Sequence, residues 1–159
     1  MVELFNLDKK YADEMIAHAR AEAPNECCGI LAGLTDRVIK FYRTTNTEHS
    51  ACRYSIEPRE MLTIYKEIQE NRWQLLGIYH SHTHTEAYPS PTDMKSIVLP
   101  GSIYFIISLS DPDQAIIRGF HIMKGKVIAY HAQSEHYANL AEEAILRGEF
   151  DQANLHSAF

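Results

Sequence analysis

GIYHSHTHTEAYPSPTD, running from Gly77 to Asp93, sets three histidines at alternate positions (His80, His82 and His84) ahead of a turn-rich stretch and an aspartate. The segment that leads into it, LLGIYHSH, reads as a strand ending at His82. Residues two apart in a strand project from one face. His80 and His82 therefore stand side by side, about 6.6 Å apart along the chain, close enough for both imidazoles to reach one ion at about 2.0–2.1 Å. His84 would lie about 13 Å from His80 on a straight strand, too far for one ion to accept both ends of the row. Pro89 and Pro91 forbid a long regular element after the strand. The loop from Thr83 to Pro89 can fold back, and Thr92 can cap a short helix beginning near Asp93. That makes Asp93 the better third ligand. Two histidines, one carboxylate and an open position form a catalytic zinc pattern, in which the metal lowers the pKa of its water from about 15.7 to about 7. Two other readings compete at this point. Histidine pairs at this spacing also occur on half-buried strands without metal, and aspartate favours a helix N-terminus in any case.

Working outward, VELFNL at 2–7 reads as a short first strand. Asp8 is placed to cap a helix over 9–22 whose buried stripe is Ala12, Met15, Ile16 and Ala19, with Pro24 ending it. CCGILAG reads as a buried strand closed by Gly33, and VIKFYRT as a second strand after a turn at 35–37. A helix is expected over 58–71, with Met61, Ile64, Tyr65 and Ile68 on one face. SIYFIISLS is a core strand by its β-branched and aromatic content. AIIRGFHI and KVIAYHA look like a hairpin around Lys124–Gly125. The segment 135–147 reads as helical, followed by a tail with little pattern. Strands and helices mixed in this order give an α/β or α+β fold with a sheet of mixed direction. The expected organisation is one domain over 1–134, with a C-terminal helix and tail over 135–159 packed on it.

The bulk numbers agree with a compact globular chain. It has 159 residues, 45% of them hydrophobic and 23% charged. Lysine plus arginine total 15 against 21 acidic residues, a net charge of −6. That is the wrong sign for holding nucleic acid through its phosphates, and no dense basic patch offsets it. No run is long enough to span a membrane and no leader pattern precedes the first charges. Three cysteines, Cys27, Cys28 and Cys52, make neither a disulfide framework nor a CxxC metal site. A reducing cytoplasm is the simplest compartment.

One spacing joins these residues. After the HSH of His80–Ser81–His82 come seven residues, then Ser90, two residues, then Asp93, while Glu26 lies far upstream in PNECCGILAG. This arrangement resembles the JAMM (MPN-plus) zinc metallopeptidase family, whose motif is an upstream glutamate followed by H-[ST]-H, seven residues, Ser, two residues, Asp. The order of elements from about 3 to 132 is similar as well. The short single domain and the wording TEAYPSPTD are closest to the prokaryotic branch, which includes the CysO–cysteine peptidases.

The resemblance implies a deaminase-like mixed sheet flanked by helices. It implies one Zn2+ per chain on His80, His82 and Asp93, with Glu26 as general base and then acid, and Ser90 as donor to the oxyanion. It also implies a substrate: the C-terminal tail of a ubiquitin-like or sulfur-carrier protein, cut after its last glycine to release cysteine or a lysine-linked protein. From position alone Glu26 would be read as a surface glutamate and Ser90 as a turn serine. Ser81 points to the other face and reads as packing; Cys27 and Cys28 read as small buried thiols. The motif gives His84 no role. His84, Glu86 and Tyr88, in the loop between ligands, are placed either to touch substrate or simply to be solvated. Asn46, Arg53 and Tyr54 are candidates to line a groove for the tail, which could also pair with an exposed strand edge.

The alternative on the same fold is a non-catalytic scaffold that binds a ubiquitin-like partner. Another HxH hydrolase fits less well, since a (β/α)8 barrel needs about 250 residues. A homodimer is compatible with either reading.

Overall fold

The computed structural model describes residues 7–35, 37–97, 99 and 101–131. The strand expected over 2–7, apart from Leu7, and the helix expected over 135–147 lie outside the described residues. The elements run α1 (Lys9–Glu22), β1 (Cys28–Leu34), β2 (Arg37–Thr44), α2 (Pro58–Glu70), β3 (Gln74–His82), α3 (Pro91–Lys95), β4 (Ile103–Ser108), β5 (Ile116–Met123) and β6 (Lys126–His131).

The six strands form one sheet in the order β2-β1-β3-β4-β5-β6. Only β3 and β4 are parallel; each of the other adjacent pairs is antiparallel. This is the expected mixed sheet, with β2 and β6 at its edges among the described residues. The β5–β6 hairpin turns at Lys124 and Gly125, both at positive φ (51° and 73°), as the right-handed twist of a two-residue hairpin requires.

Side-chain alternation divides the core between the two faces of the sheet. On one face α1 packs Met15 and Ala19 against Tyr79, Phe105 and Ile107. The expected stripe of α1 is buried at Ala12, Met15 and Ala19; Ile16 is half-buried and His18 takes a buried place instead. On the other face α2 sets Ile64 and Ile68 on Ile30 and Ala32 of β1. Further along that face Ile78, Tyr104, Ile106 and Phe120 form an apolar floor that Met94 of α3 and Tyr88 of the preceding loop help to cover. This second face carries His80 and His82.

Two caps differ from expectation. Asp8 does stand at the N-cap of α1, but its side chain makes no cap bond. Thr92 does not cap α3. The helix starts two residues earlier than expected, at Pro91, with Ser90 as N-cap. The reason is local: proline's fixed φ and missing N–H suit the first helical position, which leaves the residue before it as the cap. Ser90 Oγ accepts from Asp93 N–H at 3.1 Å, and Asp93 Oδ2 accepts from Ser90 N–H at 2.9 Å. This is a reciprocal capping box.

Candidate metal centre

The capping box aims Asp93 at the end of β3. Its Oδ2 lies 3.1 Å from His80 Nε2 and 3.0 Å from His82 Nε2, and those two nitrogens are 3.1 Å apart. All three residues are buried. Four tetrahedral ligands at 2.0–2.1 Å from one ion would be about 3.3–3.4 Å from each other. The three atoms therefore already stand near the edge lengths of such a tetrahedron, with one corner left open. His84 is exposed beyond the strand end and takes no part.

The donor chemistry fits a cation. His82 Nδ1 donates to the Glu86 carbonyl at 2.8 Å, which leaves Nε2 as the nitrogen facing Asp93 and His80. Burial drives His80 below its usual pKa and so favours its neutral form, against the pull of the Asp93 carboxylate. For His82 burial acts the same way, but the bonds to Asp93 and to the Glu86 carbonyl outweigh it and raise its basicity. Burial would also raise the Asp93 carboxyl, yet the bonds from His80 and His82 hold it well below the usual carboxylate range. Two ring nitrogens and a carboxylate oxygen at these separations need a positive charge between them. A divalent ion held by all three would supply it.

Glu26 joins the site through strand pairing. Cys28 is opposite His80 in the antiparallel β1–β3 ladder. The pairing continues past it, with Ser81 N–H bonded to the Cys27 carbonyl at 3.1 Å and Ser81 Oγ accepting from Cys27 N–H at 2.8 Å. Glu26 lies next along the chain, held by its own N–H on the Ser50 carbonyl, and near enough to His82 and Asp93 for their charges to act on it. Glu26 is 3% exposed and its Oε1 has no hydrogen-bond partner. Burial pushes its carboxyl up to about 7; His82 opposes the shift and Asp93 adds to it. A buried, unspent carboxyl titrating near neutrality is suited to exchanging protons.

Comparison with known proteins agrees with this geometry. Residues 8–119 match the family described as prokaryotic homologs of the JAB domain. The chain belongs to that family. It is 39% identical over 115 residues to the CysO-cysteine peptidase of Mycobacterium tuberculosis, covering 71% of this chain and 79% of the relative. It is 32% identical over 108 residues to the desampylase of Haloferax volcanii, covering 60% and 74%. Among solved structures, a protein of Desulfitobacterium hafniense superposes with TM-score 0.70 at 38% identity, over 83% of this chain and 96% of that one. The JAMM resemblance and the mixed sheet flanked by helices are both borne out.

Within this JAB domain the remaining residues sort by what they touch. The Ser90 hydroxyl oxygen is occupied as the α3 cap, but its proton remains available for donation. Ser81 faces away from the metal cluster and braces Cys27. Burial raises the Cys27 and Cys28 thiols to about 12 and about 11, so both are inert buried groups. Asn46 is spent on structure: its Nδ2 donates to the Glu26 and Arg53 carbonyls and its Oδ1 accepts from Glu48 and Ser55 N–H. That bracket ties the 45–56 loop to the residue carrying the site carboxyl. Arg53 and Tyr54 line a cavity of about 670 Å³, together with Ile56, Met61, Ile78 and Tyr104. His84 and Glu86 are exposed and Tyr88 is half-buried.

Two contacts were not anticipated. Tyr54 stacks on the His80 ring, with centroids 4.4 Å apart and planes at 19°, covering an imidazole whose Nδ1 has no hydrogen-bond partner. The Glu86 carbonyl fixes the orientation of His82. An aromatic in a loop near 54 carries a weak signal; a backbone carbonyl carries none.

Proposed function

We propose that the chain is a zinc-dependent peptidase or isopeptidase that hydrolyses the amide after the C-terminal glycine of a ubiquitin-like or sulfur-carrier protein. The observation that carries this reading is the convergence of His80, His82 and Asp93 with the unspent carboxyl of Glu26 close by. Membership of the JAB family supports it, as do relatives named as a CysO-cysteine peptidase and a desampylase.

His80, His82 and Asp93 would hold the ion. Zinc bound there supplies a Lewis acid that lowers the pKa of water and polarises a carbonyl. Glu26 takes a proton from the attacking water and delivers it to the leaving amine nitrogen as the C–N bond breaks, a contribution of roughly 10²–10⁴ in rate. Ser90 donates its hydroxyl proton to the developing oxyanion while its lone pair keeps the Asp93 N–H. Removing one such donor costs about 2.7–4 kcal/mol in other hydrolases. Tyr54 excludes water from the His80 side. The adjoining cavity, apolar over Ile78 and Tyr104 and edged by Arg53 and Lys95, receives the carrier's extended tail.

The test is mass spectrometry of carrier–cysteine and carrier–lysine conjugates incubated with the metal-loaded protein. Release of the carrier ending in free glycine is expected, lost on chelation and in Glu26→Gln. Glu26→Gln turnover equal to wild type would remove the mechanism.

A further inference from the structure

Arg118, in the middle of β5, is only 7% exposed. Its Nε is fully covered and has no hydrogen-bond partner, and the guanidinium forms no ion pair or hydrogen bond among the described residues. An uncompensated buried charge costs several kcal/mol, far more than an apolar residue of that size would at the same place. A guanidinium kept under those terms calls for an anion that binds there.

Strand register shows where that anion would lie. Cys28 is opposite His80, His80 beside Ile106, and Ile106 opposite Arg118. The four form a row across β1, β3, β4 and β5 on one face of the sheet. Arg118 is two strands from His80, about 10 Å from backbone to backbone. Its neighbours on this face of β5 are Ile116 and Phe120, and the Phe120 ring meets Tyr88, which belongs to the loop between His82 and Asp93. Glu26 occupies the opposite flank, on the chain leading into β1. The metal cluster is thus bracketed by a proton-carrying carboxyl on one side and an unpaired cation on the other.

We propose that Arg118 is a specificity residue that binds the α-carboxylate of an amino-acid leaving group. The hydrolytic reading above is the basis for this, and Arg118 narrows it. When the scissile amide joins the carrier's glycine to the α-amine of a free amino acid, a carboxylate sits one carbon from the nitrogen that Glu26 protonates. That carboxylate is an anion of fixed charge a few ångströms from the reacting bond, on a scale that a guanidinium two strands from His80 can meet. When the amide joins the carrier to a lysine side chain, the nitrogen carries an alkyl chain and no anion, and Arg118 stays unpaired. A buried polar group left without its partner is what makes a site reject the analogue lacking it. The planar guanidinium also suits two-point binding of a carboxylate.

The experiment compares two conjugates of one carrier, differing in a single group. One has cysteine joined through its α-amine to the terminal glycine, and the other has cysteinamide at the same place. Wild type is expected to cleave the cysteine conjugate with kcat/KM roughly 10- to 100-fold above the cysteinamide conjugate, the range for a hydrogen bond to a charged group. Arg118→Gln brings that ratio close to one, and Arg118→Lys keeps part of it. Arg118→Met serves as a second variant should the glutamine fail to fold, with metal content and melting temperature recorded for each. A wild-type ratio near one overturns the proposal while leaving the hydrolytic reading in place. So does an Arg118→Gln protein that loses rate on both conjugates equally and keeps the ratio, since that is a packing defect. Failure of the metal-loaded wild type to cleave either conjugate would overturn the hydrolytic reading and this proposal with it.

Discussion

Cys28 and His80 face each other across the β1–β3 ladder, and the Ser81–Cys27 hydrogen bonds carry the contact on toward Glu26 and His82, the next residues along each segment. The arrangement gives each residue a different job. His82 is locked by the Glu86 carbonyl, whereas Glu26 Oε1 is unbonded. Replacing Glu26 by glutamine keeps the shape and removes the proton exchange. The expected result is a 10²- to 10⁴-fold loss of conjugate hydrolysis, with metal content unchanged because Glu26 is outside the ligand set. In the metal-free protein the carboxyl is raised from 4.5 to about 7 by burial. Its contribution to stability is therefore present below pH 4.5 and lost as pH rises through about 7. At pH 8 the metal-free Glu26→Gln protein should melt at or above wild type. Lower activity together with a lower melting temperature would point to misfolding instead.

Metal removal should be visible in stability as well as activity. An ion that binds the folded chain alone stabilises it by about 2.7 kcal/mol at a free concentration 100 times its Kd. Zinc added to chelator-stripped protein should raise the melting temperature. His82→Ala and Asp93→Ala should abolish that rise, and His84→Ala should keep it, since His84 lies outside the cluster. Differential scanning calorimetry with and without zinc checks this. A zinc-dependent rise that persists in His82→Ala would move the site elsewhere.

Much of this site was legible because its spacing is local. His80 and His82 share a strand face by alternation, and Asp93 follows within one loop and one helical turn. Glu26 was legible only by family resemblance. It is brought near the histidines by the pairing of β1 with β3 across the intervening β2 and α2, and no periodicity reports such a non-local register. The start of α3 lies two positions before the one expected because Thr92 and Ser90 are both good caps, and Pro91 decides between them by its missing N–H. Tyr54 and Asn46 belong to a loop whose conformation is set by side-chain bonds to backbone, for which composition gives no rule. Arg118 stood inside a segment read as one arm of a hairpin, where a charge draws no notice until the row from Cys28 to β5 is laid out.

Gly29 and Tyr79 test the packing beneath the site. They are opposite each other on β1 and β3, on the face that packs against α1. A Cβ at Gly29 would run into the Tyr79 ring atoms Cε1, Cζ and Oη. The ring is wholly buried, stacked on Phe41 at 5.5 Å and bonded to His18 through its hydroxyl, so it cannot yield without breaking those contacts. Gly29→Ala should cost about 1–3 kcal/mol or more by overpacking. Gly29→Ala combined with Tyr79→Leu should recover part of that loss, as expected for residues in direct contact. Urea unfolding of the two single variants and the double variant measures the coupling. Strict additivity would show that the ring is not what the alanine meets.

His18 gives the fold a dependence on acid. Its Nδ1 is 2.7 Å from the Tyr79 hydroxyl. Burial holds the tyrosine well above its usual range, so Tyr79 keeps its proton and donates it, leaving Nδ1 of a neutral imidazole as the acceptor. Burial first, and Arg43 second, lower the pKa of His18 from 6.5, against a smaller opposing pull from Glu22. The sign follows from linkage. A histidine whose folded pKa is depressed stabilises the fold fully above its unfolded value of about 6.5, and that stability is lost as pH falls from there through the folded value. The slope for one such group is at most about 1.4 kcal/mol per pH unit. His18→Gln, whose amide oxygen can still accept from Tyr79, removes the titration and keeps the bond. Between pH 7.5 and 5.5 its unfolding free energy should therefore fall less than that of wild type. Equal falls in both proteins would mean that His18 protonates without leaving its bond to Tyr79, and the depression of its pKa would be disproved.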